Sequence, residues 1–257
     1  MNPPLYQRRA GRSSCFRAMI LLRSNERIFI RHDMNQQSAQ PQKYFLIGII
    51  GLGVLILVGL VWAVLIGPSS ENRGNVVQNA SFQDANDPTL GPSNAKTVVH
   101  IYGDFQCPAC KVAEEGVTEA RKMYADRVKF VWKDFPLTQI HSNAMAAANA
   151  ARCAEARGKF WEYHDLLYQH QLEWSNQRDP ATTFRGYAKD LGLGDATFAT
   201  CLERESYREK ILDNMAEGTK NSVEATPTFF VNAKRIVGVL RTEDWERELK
   251  AALGLAQ

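Results

Sequence analysis

Two cysteines separated by two residues, Cys107 and Cys110, are the residues in this sequence best suited to do chemistry. They follow a β-branched segment at 97–102 and precede a helical pattern at 111–124, so the pair joins a strand to a helix. Unpaired N–H groups and the helix dipole stabilise a thiolate at a helix N-terminus. We therefore predict that Cys107 is the nucleophile and attacked sulfur, and that Cys110, one turn further on, is the resolving one.

A C-x-x-C pair also occurs as half of a structural zinc site. No second C-x-x-C accompanies it, and Cys153 and Cys201 are single and far apart in the sequence. The histidines at 141, 164 and 170 are too scattered to predict a metal site. Pro108 suits the first turn of a helix because no N–H is needed there. A redox-active disulfide without metal or cofactor is therefore favoured over zinc.

The elements that would hold this pair follow from hydrophobic periodicity. The predicted order after residue 95 is a strand at 97–102, a helix at 111–124, a strand at 128–133, a helical block at about 138–218, strands at 228–231 and 235–239, and a helix from Thr242. An order of this kind forms a sheet with helices on its faces, so the fold class is α/β. The helical block is an insertion between the two halves of the sheet.

A run of 23 residues without a charge, 44–66, precedes this domain. As a helix it is about 34 Å long, enough to cross a hydrocarbon core of about 30 Å. It exceeds the apolar region of a cleaved signal peptide, so an uncleaved anchor is expected. Residues 1–66 carry eight Lys/Arg and two acidic residues, which places the arm 1–43 in the cytoplasm and 67–257 outside. Met34 is an alternative start that would remove 1–33.

Residues 67–95 are rich in Gly, Pro, Asn and Ser and predict a flexible tether before a domain at 96–257. The tether carries no heptads, so a monomer is expected. Residues 67–257 hold 23 basic and 26 acidic side chains, which argues against a nucleic-acid-binding protein. Of the five cysteines, only Cys15 precedes the membrane run; the other four lie on the side where disulfides persist.

Thr226-Pro227 immediately precedes the strand at 228–231, and a proline in a sheet is restricted to an edge or to the first residue of a strand. Together with the dithiol, this identifies a resemblance over 95–254 to the DsbA family of thioredoxin-fold proteins, of the membrane-anchored bacterial kind. The motifs that carry the resemblance are DFQCPAC at 104–110, KDFPL at 133–137, ARCA at 151–154 leading to GKFW at 158–161, and TPTFFVN at 226–232.

The resemblance implies a thioredoxin fold with a helical insertion, a redox-active Cys107–Cys110 disulfide, and a cis Pro227 lying against it. It also implies that the backbone of Thr226 pairs with a bound substrate chain. Several relatives carry a second disulfide at the places of Cys153 and Cys201, and we expect the same here. Two buried free thiols are the alternative, since unpaired Cys is often a core residue.

The sequence departs from the family at two places. Many relatives have a buried glutamate six residues before the first active-site cysteine, whereas this chain has Ile101. Asp104 is nearer the motif and is at best a partial stand-in. The dipeptide Pro108-Ala109 also lacks a histidine that would add positive charge beside the thiolate. Both departures leave the redox potential open.

These observations predict a single-pass protein of the cell membrane with its catalytic domain in the periplasm or outside the cell. The expected function is that of a thiol–disulfide oxidoreductase that oxidises dithiols in secreted or envelope proteins. A quinone-linked or other membrane partner would reoxidise it. A reductase or isomerase of the same fold is the nearer alternative, and a non-enzymatic holdase or metal-binding module is the more distant one.

Overall fold

The computed structural model describes residues 41–65 and 75–255, with side chains placed for 47–59 and 75–255. Predictions for the N-terminal arm, including those on Cys15 and Met34, lie outside the described residues. The chain divides into two compact units, Met1–Gly67 and Pro68–Gln257, which are treated separately.

The first unit contains one described helix, α1, at Pro41–Leu65. The side chains of 47–59 are all exposed in it. Among the described residues, no helix has the length and apolarity needed to span a membrane. The predicted transmembrane segment 44–66 extends beyond the described residues and stays a prediction.

In the second unit, strands and helices form an α/β domain. The strands are β1 Asn75–Val76, β2 Thr89–Leu90, β3 Thr97–Gly103, β4 Val128–Asp134, β5 Thr228–Val231 and β6 Lys234–Val237. The helices are α2 Pro108–Tyr124, α3 Ala144–Glu155, α4 Phe160–Gln169, α5 Gln171–Trp174, α6 Ala181–Asp190, α7 Ala196–Glu203, α8 Arg208–Lys220 and α9 Thr242–Leu253. The strands form one sheet in the order β1-β6-β5-β3-β4-β2. The predicted α/β class is therefore confirmed, with the inserted helices at α3–α8.

Strand β3 lies at the centre of the sheet and is buried along most of its length. It pairs in parallel with β4, with Gly103 opposite Asp134, and antiparallel with β5, with Tyr102 opposite Thr228. The C-terminal end of β3 and the N-terminal end of β5 therefore lie side by side at the same end of the sheet. This register brings the segment after Gly103 next to the segment before Thr228, which are the dithiol and the proline.

The end of β3 is closely packed against β4. A Cβ on Gly103 would lie 2.2 Å from the Trp132 ring, so this position accepts only glycine without a shift of the indole. The Trp132 ring in turn stacks on Phe105, with ring centroids 4.8 Å apart. Packing below the dithiol segment is thus set by two aromatic rings.

The predicted tether at 67–95 is wrong for residues 75–95, which belong to the domain. Strand β1 pairs with β6 and β2 pairs with β4, so this segment forms both outer edges of the sheet. Between them Phe82 stacks on His100, with ring centroids 3.8 Å apart. The composition of residues 67–95 is that of a solvated segment. The prediction fails because the acidic residues of this segment have partners that are distant in the sequence.

Those partners are buried cations. Lys133 and Arg152 have side chains with no exposed surface, and Asp87 lies 2.8 Å from both. Arg152 also pairs with Asp134 at 2.6 Å, and Lys133 with Glu217 at 2.9 Å. We call these five residues the ion cluster. It joins the 75–95 segment to β4, α3 and α8.

Candidate active site

The dithiol occupies the N-terminus of α2, as the sequence predicted. Cys107 is the N-cap residue with φ −68° and ψ 122°, and Pro108 follows in the first turn. The Cys107 N–H donates to the Asp104 carbonyl at 3.1 Å, and the Cys107 carbonyl accepts from the Lys111 N–H at 3.2 Å. Both sulfurs are free thiols in this structure, and both residues are buried. The local backbone therefore presents Cys107 to the unpaired N–H groups of the helix.

The two thiols differ in their affinity for a proton. A hydrogen bond from the Cys110 thiol lowers the pKa of Cys107 to about 5, against burial and with help from the Thr226 hydroxyl and the N–H groups of Cys110 and Ala109. Burial raises the pKa of Cys110 well above its usual value, and the neighbouring Cys107 adds to this effect. The pair therefore holds one negative charge, on Cys107, over a wide pH range.

The Thr226–Pro227 peptide is cis, as the resemblance implied. The Thr226 carbonyl lies 3.4 Å from the Cys107 sulfur and accepts a hydrogen bond from it in the protonated, thiol form. The Thr226 hydroxyl is buried without a hydrogen-bond partner among the described residues, and its closeness to the sulfurs lowers the pKa of both thiols. Residues 226–227 and 107–110 thus form one site.

Asp104 is buried at the turn that leads into the dithiol. Its carboxylate accepts from the N–H of Gln106 at 2.7 Å and of Leu137 at 2.9 Å, and it lies 2.7 Å from Nδ1 of His141. These contacts make it a turn-holding residue. Ile101, which replaces the family glutamate, is a buried core side chain on β3.

Several residues of the helical insertion contact the dithiol loop and were missed by sequence reasoning. Gln171 Nε2 donates to the carbonyls of Phe105 and Cys107, at 2.7 and 3.0 Å. The Tyr168 hydroxyl donates to the Asp104 carbonyl at 3.3 Å. These contacts join residues more than sixty positions apart, and neither side-chain type nor spacing signals them.

Within the insertion, Cys153 of α3 and Cys201 of α7 form a disulfide, with Cα atoms 5.9 Å apart. This pairing agrees with the one implied by the resemblance. It ties two inserted helices together and leaves Cys107 and Cys110 as the free thiols of the described residues.

One of the three histidines, His164, lies beside two carboxylates. Among the described residues, potential ligand atoms of Glu114, His164 and Asp165 lie within 4.8 Å of one another. Arg121 already donates to both carboxylates, at 3.1 and 2.8 Å, and its guanidinium lies 4.6 Å from the Trp161 ring centroid. The Arg121 side chain therefore already pairs with both carboxylates, which accounts for their closeness without a metal ion.

A helix-terminal dithiol beside a cis-proline, on a sheet of this topology, defines the class of thioredoxin-fold thiol–disulfide oxidoreductases. A family model described as Thioredoxin matches residues 83–251. The chain belongs to the thioredoxin family.

Two solved structures share the fold. BdbD from Bacillus subtilis aligns with a TM-score of 0.60 and 22% identity, over 70% of this chain and 100% of that one. The α-DsbA1 protein from Wolbachia pipientis aligns with a TM-score of 0.59 and 19% identity, over 66% of this chain and 92% of that one. The DsbA-like fold implied by the sequence is therefore confirmed.

In sequence, the chain is 39% identical over 157 residues to the Na(+)/H(+) antiporter NhaA 1 of Salinispora arenicola. The match covers 61% of this chain and 23% of that protein. The chain thus matches about a quarter of the antiporter's length, and ion transport by the whole antiporter is not transferred to it.

Proposed function

We propose that this chain is a membrane-tethered thiol–disulfide oxidoreductase that oxidises dithiols in secreted or envelope proteins. The observation that carries the proposal is the difference in pKa between the two thiols. The pKa of Cys107 is lowered to about 5 and that of Cys110 is raised. A stabilised thiolate favours the reduced dithiol, which makes the corresponding disulfide a stronger oxidant.

The reaction uses the two sulfurs and no cofactor. A substrate thiolate attacks Cys107 of the disulfide form, and the Cys107–Cys110 bond breaks as a mixed disulfide forms. The Cys110 sulfur leaves and takes a proton. A second thiolate of the substrate then attacks the substrate sulfur that is bonded to Cys107, which forms the substrate disulfide and releases Cys107 as a thiolate. Two electrons pass from the substrate to the dithiol, one substrate proton ends on Cys110, and the other goes to solvent.

Thr226 and Pro227 are the proposed substrate-binding residues. The Thr226 carbonyl accepts from the Cys107 thiol at 3.4 Å, so a chain bonded to this sulfur would pass beside the same backbone. Pairing with backbone groups suits substrates of many sequences, because every residue except proline offers the same N–H and C=O groups.

The proposed location is the cell membrane, with the catalytic domain on the periplasmic or outer side. The uncharged run at 44–66 is long enough to span a bilayer. The Cys153–Cys201 disulfide suits an oxidising compartment. A membrane quinone-linked partner would reoxidise the dithiol after each turnover, and the tethered chain would act as a monomer.

The reduction potential tests the direction of electron flow. The purified full-length chain in detergent would be equilibrated with glutathione buffers, and the Cys107–Cys110 peptide quantified by alkylation and mass spectrometry, which excludes Cys15 from the signal. A potential near about −120 mV supports a dedicated oxidant, whereas one near about −270 mV identifies an electron donor and refutes the proposed direction. One zinc bound per chain at the dithiol would refute redox function altogether.

A further inference from the structure

We propose that Gln171, on the helical insertion, is a positioning residue that sets how readily the Cys107 thiol loses its proton. The inference deepens the proposed function, on which it rests for the use of the dithiol. Gln171 is the first residue of α5 and is 2% exposed. Its burial means that an amide has been removed from water and its donors used inside the protein.

Both hydrogens of the Gln171 amide serve the dithiol loop. Nε2 donates to the Phe105 carbonyl at 2.7 Å and to the Cys107 carbonyl at 3.0 Å. The two carbonyls lie on either side of Gln106, so one planar amide fixes two peptide groups at once. Buried amides that bridge two acceptors restrict rotation more than one hydrogen bond does.

The Cys107 carbonyl is also the first acceptor of α2, from the Lys111 N–H at 3.2 Å. Its direction follows the ψ angle of Cys107, which sets where the first N–H groups of the helix lie relative to the sulfur. The N–H groups of Ala109 and Cys110 are among those that lower the pKa of Cys107. Gln171 therefore acts on the sulfur through the backbone, without touching it.

Other insertion residues support the same loop. The Tyr168 hydroxyl donates to the Asp104 carbonyl at 3.3 Å. Gln106 Nε2 donates to the Ser175 carbonyl at 2.8 Å, and its Oε1 accepts from the Asn143 N–H at 2.7 Å. The insertion thus holds each of the four residues 104–107, and Gln171 is the member that holds the nucleophile itself.

The test compares Gln171→Met, which keeps the length of the side chain and removes its donors, with Gln169→Met on the exposed end of α4. In the full-length chain, the alkylation rate of Cys107 against pH gives its pKa by residue-resolved mass spectrometry. We expect Gln171→Met to raise the pKa of Cys107 by about one pH unit, a tenfold change in the constant for loss of its proton. The equilibrium constant with glutathione should shift about tenfold toward the disulfide, or about 30 mV more negative.

Gln169→Met should leave the pKa and the potential as in the unmodified chain. An opposing outcome is that Gln171→Met lowers the thermal midpoint while the constant for loss of the Cys107 proton and the equilibrium constant with glutathione each change less than twofold. In that case Gln171 is a structural residue and the inference is overturned. If Gln171→Met does not fold, Gln171→Asn decides, because its shorter side chain reaches only one carbonyl. An intermediate shift supports the inference, and an unchanged pKa contradicts it. The direction of electron flow in the unmodified chain is read separately, so either idea can fail alone.

Discussion

The ion cluster and the dithiol are both buried, and they treat charge in different ways. In the ion cluster, Asp87 lies 2.8 Å from both Lys133 and Arg152, so every charge meets an opposite one. At the dithiol, the groups that stabilise the Cys107 thiolate are hydrogen-bond donors: the Cys110 thiol, the Thr226 hydroxyl and backbone N–H groups.

This difference separates holding from reacting. Burial alone would raise the pKa of Asp87, but Arg152 and Lys133 hold it below its usual value. The Asp87 carboxylate is therefore ionised and paired with these two cations. A thiolate supported by donors remains free to attack, because the donors are already in place and need not reorganise during the reaction. The fold therefore uses cations where it needs rigidity and dipoles where it needs a nucleophile.

Removing the charge at the dithiol should have the largest effect. Cys107→Ser is expected to abolish oxidation of a reduced two-cysteine peptide, since a serine hydroxyl forms no disulfide. In Cys110→Ser, the Cys107 thiolate can attack the disulfide form of the peptide but no second thiol of the enzyme completes its reduction, so a mixed disulfide with the oxidised peptide should accumulate. Mass spectrometry of the reduced peptide with Cys107→Ser, and of the oxidised peptide with Cys110→Ser, measures the two outcomes. Dithiol oxidation retained by Cys107→Ser would show that the sulfur roles are wrongly assigned.

Breaking the ion cluster should cost stability and leave the thiolate alone. Arg152→Met leaves Asp87 and Asp134 buried without their guanidinium, which lowers the free energy of unfolding by about 3–5 kcal/mol. Guanidinium unfolding followed by tryptophan fluorescence measures this loss. Arg157→Met, which removes an exposed pair with Asp195, is the control and should have a far smaller effect. A changed pKa of Cys107 in Arg152→Met would mean that the two regions are coupled.

The two thiols predict how the reduction potential depends on pH. Between pH 5 and 8 reduction takes up one proton, on Cys110, because Cys107 stays a thiolate above its pKa of about 5. The potential should fall by about 30 mV per pH unit in this range, and by about 59 mV per unit below pH 5, where both sulfurs are protonated on reduction. Glutathione titrations from pH 4 to 8 test this slope. A slope of 59 mV throughout would show that Cys107 carries no thiolate.

Two buried threonines offer the smallest and sharpest comparison. Thr226→Val removes the hydroxyl beside the sulfurs, which has no other partner, so we expect the pKa of Cys107 to rise by less than about one pH unit without loss of stability. Thr228→Val removes a hydrogen bond to the Ala225 carbonyl at 2.7 Å, so stability should fall by about 1 kcal/mol with an unchanged thiolate. Alkylation profiles and unfolding curves for both variants decide. The opposite pattern would contradict the role of Thr226.

The sequence predicted the parts of the site that are local. Cys107, Cys110 and Pro108 fall within four consecutive residues, and strand-to-helix punctuation placed them at a helix N-terminus. The strand at 228–231 was predicted with the bounds that the structure shows. Such features depend on spacing and backbone preference, which one sequence reveals.

Contacts between distant residues were beyond the sequence. His141 meets Asp104 across 37 positions, and Gln171 meets Phe105 across 66. Residues 75–95 look like solvated chain by composition, and only the tertiary position of Lys133 and Arg152 turns their acids into buried partners. An amide or a carboxylate carries no mark of its partner in a single sequence.

The short strands β1 and β2, two residues each, cover both margins of the sheet. Without them, the edges of β6 and β4 would offer a longer ladder of free N–H and C=O groups to any extended polypeptide. A protein proposed to meet unfolded chains faces this hazard at every encounter, since its substrates have unsatisfied backbone groups of their own. The two short strands therefore shorten the free ladder at each margin, which lowers the chance of β-sheet co-aggregation with the chains that the domain would process.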